Sequence, residues 1–173
     1  KLIDLSQDLG ETVNLTELSG DHIVYVSRLP CKRTYFAATI VGRRLPALST
    51  SAGRAMLATF PAEERAAAVE GWALRRFTPS TTLDRAEIGR SVEQAVRDGY
   101  SISTGQMILN EIGVASPIVG PGGRAYAAVQ CSVSAHTWTR ERVVQEIVPR
   151  LQDTANAISP SFQPHRGATS AGS

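Results

Sequence analysis

Apolar positions 2, 3, 5 and 9 recur at a helical spacing, and Gly10 follows where a helix ending in a left-handed residue needs it. Residues 11–18 (ETVNLTEL) then alternate polar and apolar, the mark of a half-buried strand. Ser19-Gly20-Asp21 has turn chemistry and His22–Val26 reads as a second strand, so the pair predicts an antiparallel hairpin. Thr34–Ala38 reads as a third short strand and 41–48 as a loop. Ser49-Thr50 can cap a helix from Ser51 to about Phe60, and 62–72 reads as another.

Asp84-Arg85-Ala86-Glu87 has the form of a capping box, followed by one apolar helical face (Ile88, Val92, Ala95, Val96) and a closing Gly99. Strands are expected at 100–104, 112–119 and 124–134, the last two joined by the turn Gly120-Pro121-Gly122-Gly123. Thr139 caps a final helix with Val143, Val144, Ile147, Val148, Leu151, Ala155 and Ile158 inward, and Pro149 should kink or break it. Residues 160–173 are poor in apolar side chains and read as a mobile tail. This order predicts an α+β fold, an antiparallel sheet with helices to the side.

Composition narrows the function classes. The 173 residues suit one domain, and 42% hydrophobic with 20% charged residues excludes wholesale disorder. A net charge of +2 is too small and scattered for a nucleic-acid footprint. No apolar run is long enough to span a membrane, and the sparse cysteine usage makes a reducing cytoplasm the default expectation. Cys31 and Cys131 are far apart, without CxxC and without histidine at ligand spacing, which argues against a structural metal or a disulfide framework.

No nucleophile elbow, HExxH or phosphate-cradling glycine loop is present, so no catalytic residue and no cofactor is expected. Cys131, inside a strand, reads as a small buried hydrophobe, whereas Cys31 follows Pro30 in a loop that could be exposed. The stretch 42–58 (GRRLPALSTSAGRAMLA) carries the stronger signal. A small polar cap opens a helix of small side chains, and the free N–H groups of a first turn favour an anion. The same small residues would equally serve close helix–sheet packing.

This stretch resembles the effector-binding domain of the IclR family of bacterial transcription regulators. Three further segments agree in order and spacing: Phe77-Thr78-Pro79-Ser80-Thr81-Thr82, then Val96-Arg97-Asp98-Gly99-Tyr100, then Ala115-Ser116-Pro117-Ile118 with 122–129 (GGRAYAAV). The resemblance covers about 1–159 and leans toward regulators of aromatic-acid catabolism. It implies a GAF-like curved antiparallel sheet, homodimers or homotetramers, and a separate N-terminal winged helix-turn-helix that binds DNA and lies outside this chain.

The resemblance further implies a pocket for a small carboxylate effector, of a repressor or an activator. The amides of Ser51 and Ala52 would bind the anion, Thr34, Ala37 and Leu45 would form an apolar wall, and Ser103 or Thr104, Gly113, Gln130 and Ser132 would face the ligand. Strand parity puts Gln130 and Ser132 on one face and Cys131 on the other. Where many members carry Asp or Gly-Glu, this chain has Ser103-Thr104-Gly105-Gln106, so the pocket is expected to be less acidic, and roomier at Gly113, favouring a bulkier carboxylate over a hydroxyl-bearing effector held by a carboxylate side chain. Two other readings stand beside it: a ligand-free GAF-like dimerisation module, and a cysteine-dependent methionine sulfoxide reductase.

Overall fold

The computed structural model describes residues 1–31 and 41–159. Among these, six antiparallel strands form one sheet in the order β3-β2-β1-β6-β5-β4. They are β1 (Thr12–Ser19), β2 (His22–Leu29), β3 (Arg44–Pro46), β4 (Ser101–Thr104), β5 (Glu111–Val119) and β6 (Ala125–Ser134). The helices are α1 (Leu2–Leu9), α2 (Ser51–Leu57), α3 (Ala62–Gly71), α4 (Arg85–Asp98), α5 (Arg140–Arg142) and α6 (Val148–Ile158). The expected strand at Thr34–Ala38, with Thr34 and Ala37, lies outside the described residues, as does the tail.

The sheet is covered on both sides. On one side Leu5 of α1 and Val148, Leu151 and Ala155 of α6 pack on Val13, Val114, Val129, Cys131 and Val133. On the other, Ala52, Ala55 and Met56 of α2 pack on Ile23, Tyr25, Leu45, Ala115 and Ala128. A third layer joins Leu48 and Leu57 to α3 and α4 through Phe60, Val69, Ile88 and Val92.

Local signals set the element ends. Gly10 and Gly99 take the left-handed conformation (φ 64° and 74°) after α1 and α4. The Asp84 carboxylate accepts from the Ala86 and Glu87 amides, opening α4. Glu87 does not complete a reciprocal box; its carboxylate accepts from the Thr82 hydroxyl instead. The Phe77–Thr82 segment clamps the β4–β5 loop: Thr81 Oγ1 accepts from the Thr78 amide at 2.9 Å and donates to the Gln106 carbonyl at 2.7 Å, and Thr78 donates to the Gly105 carbonyl.

Several elements differ from expectation. The loop at 41–48 contains β3, whose Leu45 pairs with Ile23 on the sheet edge. α2 stops at Leu57, short of Phe60. The last helical stretch takes a π-helical turn at Val143–Ile147 before α6. Pro149 lacks an N–H, and this wider turn absorbs the missing bond without ending the run. The extra residue shifts the helical phase, so Val144 is exposed rather than inward.

α2 sits tightly because Gly53 has no side chain. A Cβ there would lie 2.2 Å from the Ala47 carbonyl oxygen and 2.5 Å from its carbonyl carbon and Cα. We predict that Gly53→Ala destabilises the fold by more than about 2 kcal/mol, since backbone must move. Gly89→Ala in α4, whose new methyl would meet only Val69 at 3.7 Å, should instead stabilise by about 0.5–1 kcal/mol. Urea unfolding of both variants checks the pair.

Candidate functional site

The sheet face beneath α2 is polar and buried. Antiparallel register aligns Ser103, Gly113, Ser132 and Thr12 in one row across β4, β5, β6 and β1. The next row is Ser101, Ala115, Gln130 and Asn14. Thr12, Asn14, Thr16, Ser101 and Gln130 are each at most 5% exposed. Buried polar groups of this density cost stability unless they are bonded or serve a ligand.

A chain of hydrogen bonds joins them. Asn14 Nδ2 donates to Gln130 Oε1 at 2.6 Å, and Gln130 Nε2 donates to Ser132 Oγ at 2.7 Å and to the Cys131 carbonyl at 3.0 Å. Asn14 Oδ1 is buried and has no partner. Gly113 lies at the meeting point: a Cβ there would stand 3.1 Å from Ser51 Oγ, 3.2 Å from Ser103 Oγ and 3.4 Å from Gln130 Nε2. The missing side chain therefore lets three polar groups converge. It does not leave the wider space expected at this position.

α2 places its first turn over this cluster. Thr50 is the cap: its hydroxyl accepts from the Gly53 amide at 3.0 Å and donates to the Ala47 carbonyl at 3.0 Å. Among the described residues the Ser51 and Ala52 amides have no backbone partner. Leu45 packs in the same apolar cluster as Ala52. Thus Ser51, Ser103, Gly113, Gln130 and Ser132 are brought together, with Ala52 and Leu45 beside them. Thr104 is not: it pairs with Ile112, turns to the opposite face and is exposed.

Ser132 also lines a hollow of about 370 Å³ with Glu11, Cys31, Glu111 and His136, a volume suited to a small organic ligand. Glu111 lies two residues before Gly113 and so on the same sheet face. Burial pushes its carboxyl from 4.5 up to about 7, with Arg28 pulling the other way. Glu111 adds a carboxyl to the hollow beside Ser132, away from positions 103–106 on which the expectation of a less acidic pocket rests. Tyr25, on the same face from β2, has its phenol raised to about 12 by burial and then by the charge of Glu111.

The cysteines are quiet. Cys131 is fully buried in the cluster under α6, and burial pushes its thiol far up. Cys31 is 8% exposed rather than open in a loop, and its amide donates to Thr12 Oγ1 at 3.1 Å. Among the described residues no group of His, Cys, Asp or Glu could hold a metal, and no helix is long and apolar enough to cross a membrane.

This geometry can be set beside known proteins. The family model described as bacterial transcriptional regulator IclR C-terminal matches residues 1–160. The chain belongs to that family. The HTH-type transcriptional repressor AllR of Escherichia coli K12 is 31% identical over 153 residues, which are 88% of this chain and 56% of AllR. The chain therefore spans little more than half the length of such curated relatives.

Solved structures agree. A transcriptional regulator from Rhodococcus sp. RHA1 is 32% identical with a TM-score of 0.83, covering 89% of this chain and 63% of that one. The Thermotoga maritima IclR is 26% identical with a TM-score of 0.85, covering 91% and 64%. A double mutant of the PobR inducer-binding domain from Acinetobacter, complexed with 3-hydroxybenzoic acid, is 26% identical with a TM-score of 0.81, covering 92% and 93%. The IclR-type curved antiparallel sheet with flanking helices is the fold expected from the sequence.

Asn14, Glu111 and Tyr25 are among the residues of the IclR-type sheet face that escaped the sequence reading, as did Thr12, Thr16 and Ser101. Of these only Thr12, Asn14 and Thr16 left a signal, their place in the alternation of β1. Below about pH 4.5 the Glu111 carboxyl holds its proton in folded and unfolded chains alike. Between 4.5 and about 7 the unfolded chain releases it while the folded chain keeps it. Stability should therefore fall by on the order of 2 kcal/mol as pH rises through this window, then level off. Glu111→Gln should remove that component, as urea unfolding at pH 5 and pH 8 would show; an unchanged profile would mean that Glu111 is solvated.

Proposed function

We propose that this domain senses a small carboxylate that also bears a hydroxyl group, and that binding alters the assembly of chains and, through a separate DNA-binding domain, transcription. The observation that carries this reading is the buried polar row under α2 with its unpartnered groups. The Ser51 and Ala52 amides seek an acceptor, which a carboxylate supplies. Asn14 Oδ1 seeks a donor, which a hydroxyl supplies, and the protonated Glu111 can itself donate. The PobR complex with 3-hydroxybenzoic acid supports this ligand class and the lean toward aromatic acids.

A sensor works only through unequal affinity for two arrangements of its subunits, because a ligand that binds both equally shifts neither. Dimers or tetramers of this domain provide such arrangements, and a DNA-associated regulator acts in the cytoplasm. The domain is read as non-catalytic, with no cofactor: a thiol enzyme needs an accessible thiolate, and both cysteines are buried.

Thermal unfolding with 3-hydroxybenzoate, benzoate and cyclohexanecarboxylate tests the proposal. A ligand at 100 times its dissociation constant should add roughly 2.7 kcal/mol. We expect 3-hydroxybenzoate to bind at least tenfold more tightly than benzoate, a preference that Asn14→Ala should erase, because a buried acceptor left unpaired costs about 1–3 kcal/mol. If no carboxylate raises the midpoint, the ligand-free dimerisation module replaces the sensor.

A further inference from the structure

Arg54, on the α2 side turned toward α4, is a buried cation with an incomplete set of partners. It is 5% exposed, yet no carboxylate among the described residues lies within salt-bridge distance of it. Its Nε donates to the Leu48 carbonyl at 2.7 Å, a good bond. Its two terminal nitrogens are served poorly: Nη1 reaches Ser91 Oγ at 3.3 Å and Nη2 reaches Gln106 Oε1 at 3.5 Å, the limit of a hydrogen bond. Burial without a paired charge lowers its pKa to about 10, and Glu87 is the charge that opposes this from farther off.

Arg54 lines a cleft of about 280 Å³ between α4 and the outer edge of β4. Ser91 and Ser101 line it as well. The Ser101 hydroxyl, in a residue 4% exposed, has no partner, an independent sign that something else completes this place. Glu87, Asp98 and Arg140 also line the cleft. The two carboxylates disfavour a highly charged ligand, while the guanidinium and the hydroxyls offer donors and favour an anion.

We propose that this cleft is a second ligand site, adjoining the sheet-face row at Ser101 and Ser103, which takes a small singly charged oxyanion on the Arg54 guanidinium with Ser101 and Ser91 as further donors. Arg54 belongs to the helix whose first turn covers Gly113, and Ser103 borders both sites. An anion on Arg54 would hold α2 against α4 and so couple to the sensing pocket.

Thermal unfolding and titration calorimetry at pH 6 test this, using inorganic phosphate and acetate against chloride at equal ionic strength. Phosphate, acetate or both should raise the midpoint along a saturating curve that chloride does not reproduce; the two arms tell a phosphate group from a carboxylate. Ser101→Ala should weaken that binding at least fivefold. Glu87→Gln should lower stability in chloride and enlarge the anion-dependent shift. Asn14→Ala, in the other pocket, should leave the phosphate and acetate constants within twofold. Shifts that track ionic strength alone, or that Ser101→Ala and Glu87→Gln leave unchanged, would overturn the proposal and reduce Arg54 to a tether. Loss of anion binding in Asn14→Ala would overturn it too, by moving the anion to the sheet face.

Discussion

The close approach of Gly53 to the backbone of Ala47 sets the geometry on which the rest depends. It folds the turn at Ala47–Ser49 back onto the first turn of α2, and the Thr50 hydroxyl ties the two by one bond given and one received. That arrangement leaves the Ser51 and Ala52 amides without backbone partners and aims the helix start at the sheet. A helix with larger residues at these positions would stand farther off, and Ser51 would not reach the polar cluster at Gly113.

The sheet face completes what the helix begins. A β-sheet between two helical layers ordinarily presents apolar side chains to both. Here the α1–α6 side follows that rule, and the α2 side breaks it with Thr12, Asn14, Ser101 and Gln130. Their internal bonds satisfy most of this polarity, which keeps the side chains in fixed positions. What they leave over at the α2 end, the Asn14 oxygen and the helix amides, is the complement of a molecule with one acceptor end and one donor, while the unpartnered Ser101 hydroxyl lies toward α4. Rigid, partly satisfied networks of this kind discriminate ligands by the cost of leaving a buried group unpaired.

Much of this was legible in the sequence because its causes are local. Gly10, Gly99 and Asp84 mark helix ends through their own backbone or side chain, and parity alone put Gln130 and Ser132 on one face with Cys131 opposite. The failures have non-local causes. The alternation in β1 suggested a solvated polar face, but β1 lies inside the sheet between β2 and β6, and Thr12, Asn14 and Thr16 on its polar side are buried. β3 has only three residues and forms because Ile23 offers its edge. Glu111 and Tyr25 come to this sheet face through pairing of distant strands, which no local pattern encodes. Of the alternatives Ser103 and Thr104 only one can face α2, because adjacent strand residues point to opposite faces.

The central claim is that the opening amides of α2 seat the carboxylate. Backbone amide chemical shifts followed by NMR during titration with 3-hydroxybenzoate address it most directly. The Ser51 and Ala52 N–H resonances should move downfield, saturably, and further than any amide of α3 or α6, as a charge-assisted bond forms. Saturating binding that leaves both resonances in place, with the largest shifts elsewhere, would contradict it.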